Sequence, residues 1–258
     1  MLAYKWVNIL AVATLITFLV AEIDGSVPWY FYLILGIVWF FTTAFGSWFI
    51  RWNYHVKSLH AHPNISEEHV AITFDDGPDP EFTKQVLEVL KKYNAKATFF
   101  VIGKNCESNP DLVQQIINEG HTIANHTFSH AKNIGFFSTE KITSELQNTN
   151  ELIQQQTGLR LKLFRPAFGV TNPKIARAVK RLKLQSIGWN QRSYDTTKLN
   201  EDQVYERVTK TLKKGDVILL HDTSAKSVAV LERLLLFLKS KSMQSVTVDQ
   251  LLQIQPYA

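Results

Sequence analysis

The stretch His69-Val70-Ala71-Ile72-Thr73-Phe74-Asp75-Asp76-Gly77-Pro78 decides how the chain is read. Val70 to Phe74 is a short apolar run, rich in β-branched and aromatic residues, of the kind that forms a buried strand. It ends in two carboxylates and a Gly-Pro turn. Adjacent aspartates before Gly-Pro serve as turn and cap residues in many loops. Two carboxylates side by side also resist joint ionisation unless a cation or donors stabilise them, which favours a metal nearby.

Similar runs recur outward from this one. Ala97 to Ile102, His121 to Ala124, Leu161 to Phe164, Gln185 to Gly188, Val217 to Leu220 and Ser245 to Val248 read as further buried strands. Amphipathic stretches with readable ends lie between them. Phe82, Val86, Val89, Leu90 and Tyr93 share a helical face, and Asn109-Pro110-Asp111 opens a helix that Gly120 closes. Asn200 with Gln203 forms a capping-box pattern. Such alternation predicts an α/β domain with a parallel sheet covered on both faces. About seven units in roughly 190 residues suit an incomplete barrel as well as an open sheet.

The unusual polar residues fall where these strands end. His126-Thr127-Phe128-Ser129-His130 follows the third, Arg165-Pro166 the fourth, and His221-Asp222 follows Leu219-Leu220. Active sites of parallel α/β folds sit at the carboxyl ends of strands. The His-x-x-x-His spacing lets two imidazoles reach one ion from a single helical turn. The glutamate of His-Glu-x-x-His is missing, which disfavours a thermolysin-like protease. Gly77 breaks the Asp-x-Asp of a haloacid-type phosphatase, and Asp75, Asp76 and Asp79 miss the spacing of a calcium loop. One carboxylate with two histidines suits zinc or a similar divalent ion with positions left open.

The remainder of the composition divides the chain at residue 50. Residues 1 to 50 hold three charges, Lys5, Glu22 and Asp24, but 13 of the 30 aromatics. The other 208 residues carry 27 Lys or Arg and 21 Asp or Glu. Collagen-like, disordered and disulfide-stapled classes are excluded, the last by a single Cys106. Leu2 to Ala21 and Pro28 to Ile50 are each long enough to cross a hydrocarbon core as a helix. Trp29, Tyr30, Tyr32, Trp48 and Trp52 are placed as interfacial belts. A signal peptide is the competing reading of the first span. Lys5, Arg51 and Lys57 flank an acidic loop from Glu22 to Val27, a bias that places both termini in the cytoplasm. No Lys/Arg cluster of nucleic-acid type is present. Residues 1–50 are therefore expected as a two-helix anchor, 51–68 as a linker with solvated His55, His60 and His62, and 69–258 as the catalytic domain. Phe136-Phe137 is expected in a buried loop, with a loop that dips toward lipid as the alternative.

Thr73-Phe74-Asp75-Asp76-Gly77-Pro78 and His126-Thr127-Phe128-Ser129-His130 together resemble two motifs of the polysaccharide deacetylases, the NodB-type carbohydrate esterases, over about His69 to Ile254. The resemblance implies a distorted, incomplete (β/α) barrel and a metal held by Asp76, His126 and His130. It implies Asp75 as catalytic base paired with Arg165, and His221 as general acid tuned by Asp195. Leu219 would line the pocket for the acetyl methyl group, Trp189 would contact the substrate, and the Phe168 backbone N–H would serve an oxyanion. The third motif departs from Arg-Pro-Pro-Tyr-Gly, reading Arg165-Pro166-Ala167-Phe168-Gly169, and Thr196 stands where the family often has Trp.

The implied activity is metal-dependent removal of N-acetyl or related N-acyl groups from a sugar, with zinc the expected ion. The substrate is expected to be an N-acylated polysaccharide outside the membrane, whereas the charge bias points inward. A lipid-linked sugar at the inner leaflet is the alternative that reconciles them. A catalytically idle carbohydrate-binding membrane protein is a third.

Overall fold

The structure is a computed structural model and describes residues 3–258, so Leu2, the expected start of the first span, lies outside the described residues. Helices α1 (Tyr4–Ala21) and α2 (Tyr30–Trp48) form an antiparallel hairpin. Both are long and apolar enough to cross a membrane, and only 6% of the residues in either apolar stretch are buried. Trp39 Nε1 donates to Asn8 Oδ1 across the hairpin at 2.9 Å, and Phe18 packs on Phe31 and Tyr32.

The rest of the chain alternates strands and helices. These are β1 (Ser58–Leu59), β2 (His69–Asp75), α3 (Phe82–Lys92), β3 (Ala97–Val101), α4 (Gly103–Ser108), α5 (Pro110–Asn118), β4 (Thr122–Asn125), α6 (Thr139–Thr157) and β5 (Leu163–Phe164). Then come α7 (Pro173–Arg181), β6 (Gln185–Ile187), β7 (Gln191–Arg192), α8 (Glu201–Thr209), β8 (Val217–His221), α9 (Ala225–Ser240), β9 (Gln244–Ser245) and α10 (Val248–Leu252). Among the described residues nine strands form one sheet in the order β1-β6-β5-β4-β3-β2-β8-β7, with β9 beside β2 and every strand pairing parallel. Its ends do not meet, so the expected incomplete barrel is the observed one.

Strand alternation sorts β2 between two environments. Val70, Ile72 and Phe74 face outward into the core shared with α3, α5 and α9. The opposite face begins with Ala71 in a second cluster with Phe100, Ala124, Leu163 and Leu219 inside the barrel. Thr73 and Asp75 follow on that inner face, which puts a carboxylate at the top of the barrel by simple periodicity. Helix ends follow the expected chemistry: the Asn200 and Gln203 capping box is formed, and Pro110 occupies the first turn of α5.

Three expectations change. Arg51 to Glu68 is not a free linker: Tyr54, Val56, Ser58 and Ile65 are buried, and β1 pairs with β6 at the sheet edge. His55 is half-buried, bonded through Nε2 to Ser47 Oγ at 3.0 Å, and burial lowers its pKa to about 4. The run Ser245 to Val248 does not continue as a strand, because Val248 opens α10 with its N–H bonded to Thr98 Oγ1. Of the expected buried pair, Phe137 packs against the α6–α7 core while Phe136 is 86% exposed.

Candidate active site

Asp75 ends β2 and pairs in register with His221 at the end of β8, so both reach the same end of the barrel. Asp75 is buried, and its Oδ1 accepts from Arg165 Nη1 at 2.6 Å. Arg165 is wholly buried, stacked on Phe100 and bonded to Thr73 Oγ1 and the Ile187 and Gly188 carbonyls. The guanidinium thereby makes four hydrogen bonds and fixes one oxygen of Asp75. Removing one partner of such a buried pair costs about 3–5 kcal/mol.

Asp76 turns away from the strand at φ 77°, a left-handed conformation that is costly outside glycine and persists where surroundings enforce it. Its Oδ1 lies 3.4 Å from His126 Nε2 and 3.3 Å from His130 Nε2. His126 Nδ1 bonds the Arg165 carbonyl at 2.9 Å, which sets the tautomer and leaves Nε2 as the free donor atom. His130 follows Thr127 in the turn after β4, both with positive φ. Asn125, at the end of β4, holds that turn by accepting from the Thr127 N–H. Glu145 of α6 accepts from the Phe128 and Ser129 N–H groups and from the Ser129 hydroxyl. Burial opposes ionisation of Asp76, but the adjacent His126, with the His130 and His221 charges, outweighs it and holds its carboxyl far below the usual range.

The three donors lie within 4.8 Å of one another, close enough for one ion. Asp76 Oδ1 is buried and has no hydrogen-bond partner, so the site presents an orphaned anionic oxygen to two imidazole nitrogens. That donor chemistry fits a divalent metal.

His221 Nδ1 bonds Asp195 Oδ1 at 2.8 Å, and its Nε2 faces Asp76 Oδ2 at 3.9 Å. Asp195 is buried and also accepts from the His221 N–H, Ser193 Oγ and Ser227 Oγ. Burial lowers the pKa of His221, yet the hydrogen bond and charge of Asp195, with Asp75 and Asp76, push it up to about 9. Ser193 and Ser227 escaped sequence reasoning, since nothing local marks a serine that will meet a distant carboxylate. Asp222 points away from the site, where its Oδ2 accepts from Thr83 Oγ1 and crowds Gly77.

A pocket of ≈ 200 Å³ holds Asp75, Asp76, His126, His130 and His221 together with Phe168, Trp189 and Leu219. Arg192, Tyr194, Thr196 and Thr197 complete its wall and were not expected there. Phe168 sits at φ 58° with its ring 4.5 Å from His130. Gly169 permits this turn: a Cβ there would lie 2.5 Å from the Trp189 ring. All ten residues expected at the site therefore lie within it or, for Arg165 and Asp195, directly behind it.

Residues 62–187 match the polysaccharide deacetylase family profile. A peptidoglycan-N-acetylglucosamine deacetylase of Bacillus cereus is 38% identical over 198 residues, 74% of this chain and 91% of that protein. This chain belongs to the polysaccharide deacetylase family. It is an enzyme class that hydrolyses carbon–nitrogen bonds of carbohydrate N-acetyl groups. The peptidoglycan deacetylase PdaC from Bacillus subtilis shares the fold at TM-score 0.69 and 30% identity, covering 73% of this chain and 91% of that one. A pseudoenzyme of the same esterase family from Bacillus anthracis matches at TM-score 0.70 and 24% identity, over 76% of this chain and 69% of that one. That last likeness concerns the fold alone, so residues rather than architecture must carry the argument for chemistry.

Proposed function

We propose that the chain removes the acetyl group from an N-acetylhexosamine of a peptidoglycan-type polysaccharide at a membrane surface, using a divalent ion, zinc foremost. The observation that carries this reading is the orphaned Asp76 Oδ1 facing two imidazoles beside a complete acid–base pair. The activities of the relatives support the substrate class.

Asp76, His126 and His130 would hold the ion. Such an ion supplies Lewis acidity, bringing the pKa of water from about 15.7 toward about 7 and polarising a carbonyl. Arg165 holds Asp75 Oδ1, which leaves Oδ2 turned toward the His126 side of the pocket. Asp75 takes the proton of water attacking the N-acetyl carbonyl. The Phe168 N–H, on the pocket wall, would donate to the developing oxyanion. His221, kept cationic by Asp195, delivers a proton to the leaving amine, a step typically worth about 10²- to 10⁴-fold. Leu219 and Trp189 form the apolar wall against the acetyl methyl group.

Acetate release from an N-acetylglucosamine oligomer by the full chain tests the reading. Chelation is expected to abolish release and zinc to restore it. Asp75→Asn is expected to lower kcat at least about 10²-fold with bound metal retained. Release that survives both treatments would sink the assignment.

A further inference from the structure

Beside the active site lies a larger cleft of ≈ 590 Å³ whose walls come from two ends of the molecule. Trp48, Phe49 and Arg51, where α2 leaves the apolar hairpin, form one wall. Arg207 and Lys210, from the end of α8 and its C-cap, form the other. Trp189, Arg192 and Tyr194 lie between and also line the active-site pocket, so the two spaces share a wall.

Four cations line this cleft against one carboxylate, Glu206. Among the described residues, none of the four lies within ion-pair distance of a carboxylate. Two of them are ordered by an aromatic ring: Arg192 lies 4.7 Å and Arg207 4.3 Å from the Tyr194 centroid. Arg207 Nε further donates to the Arg192 carbonyl at 2.9 Å, which leaves its terminal nitrogens to other partners. Like charges held on one ring repel, and stacking worth about 0.5–1 kcal/mol per exposed contact does not neutralise them. Planar guanidinium forks preorganised between aromatic walls match phosphate oxygens. Four cations against one carboxylate call for an anionic group beside the neutral N-acetylhexosamine.

We propose that the cleft is a subsite for a phosphate or diphosphate ester joined to the sugar that enters the active site. Its position at the exit of the apolar hairpin makes a membrane lipid the favoured carrier of that ester. The inference rests on the deacetylase reading for the sugar but not for the anion.

The test uses the full chain, metal-loaded, in phosphatidylcholine nanodiscs, with Arg51→Gln/Lys210→Gln as the variant and thermal melting as the check on its fold. Inorganic pyrophosphate is expected to bind saturably to the wild type and about tenfold more weakly to the variant, a loss of about 1.4 kcal/mol. Pyrophosphate that does not bind, or binds both proteins alike, overturns the subsite whatever the enzyme does. Acetate release is then compared for a polyprenyl-diphosphate-linked N-acetylglucosamine, a water-soluble diphosphate ester of that sugar and a neutral oligomer. The phosphorylated substrates are expected to show the lower KM, raised about tenfold in the variant with kcat held. A low KM for the lipid-linked substrate alone assigns the ester to the membrane, and equal values for both esters assign it to a free phosphate. Equal KM for all three substrates overturns the proposal. No acetate from any substrate, with pyrophosphate binding intact, refutes the deacetylase reading and leaves the anion subsite standing.

Discussion

Asp195 shows how much of this site depends on groups that never touch a substrate. It accepts from the His221 ring and backbone and from the hydroxyls of Ser193 and Ser227, so its position is over-determined. His221 owes its orientation to this carboxylate, which is also the first cause of its upward shift, ahead of Asp75 and Asp76. Asp195→Asn is expected to lower kcat about 10²- to 10⁴-fold, because the imidazole loses its charge partner and its fixed tautomer. KM and metal content should move little, which separates this outcome from a loss of fold; an unchanged kcat would show that His221 acts without its partner. Most residues proposed for catalysis are legible in the sequence because they occupy short contiguous motifs at strand ends. Ser193, Ser227, Arg192 and Tyr194 were not, because each acquires its role only when a strand or helix from elsewhere packs beside it.

At the scale of elements, the junction between hairpin and barrel differs most from its expectation. Residues 51 to 68 are polar and aperiodic, so no pattern marks them, yet a two-residue strand and four buried side chains fix them to the barrel. Strand β7 is equally short and equally invisible, whereas β2, β3 and β8 announce themselves as continuous apolar runs. The junction is clamped by Tyr54, which is 3% exposed, receives the Tyr4 N–H at its carbonyl and meets Thr43 Oγ1 through its hydroxyl at 3.1 Å. Gly46 makes room for this ring, since a Cβ there would come within 2.4 Å of Tyr54 Cγ. Thr171 N–H adds a bond to the Ser47 carbonyl at 2.9 Å. Gly46→Val should therefore expel Tyr54 and loosen the junction while the barrel, with its own core, stays folded. Trypsin cleavage after Arg51 or Lys57 is expected to accelerate at least about tenfold, the effect of lowering a local opening free energy by about 1.4 kcal/mol. Cleavage at the wild-type rate would mean that the clamp contributes nothing.

The whole molecule carries a pH dependence and an orientation. His121 is buried where α5 hands over to β4, and its Nδ1 accepts the Ala97 N–H that begins β3. Burial, with the nearby Lys96 charge, lowers its pKa from 6.5 to about 4. The unfolded chain thus binds more protons between these values, so this stability is full above pH 6.5 and is lost as pH falls through about 4. A shift of this size corresponds to about 3 kcal/mol, read as a fall in Tm between pH 7 and pH 4 that His121→Gln should diminish. Orientation follows from the Tyr4 to Tyr54 bond, which ties the start of α1 to the chain just beyond α2. If the hairpin spans a membrane, both ends and the barrel share one side, and the turn at Glu22–Asp24 faces the other. The contacts of Tyr4, Asn8 and Phe18 also give α1 a lasting structural role, so cleavage near Ala21 is not expected and the intact mass should include α1. Cys106 is fully buried with its thiol pushed up by burial, so it stays silent to impermeant thiol reagents. Lys5→Cys and Lys57→Cys are expected to label from the same face of sealed vesicles and Asp24→Cys from the opposite face. Labelling of all three from one face would refute a spanning hairpin. Labelling of Lys57→Cys and Asp24→Cys together, with Lys5→Cys opposite, would refute the clamp that holds the barrel to the start of α1.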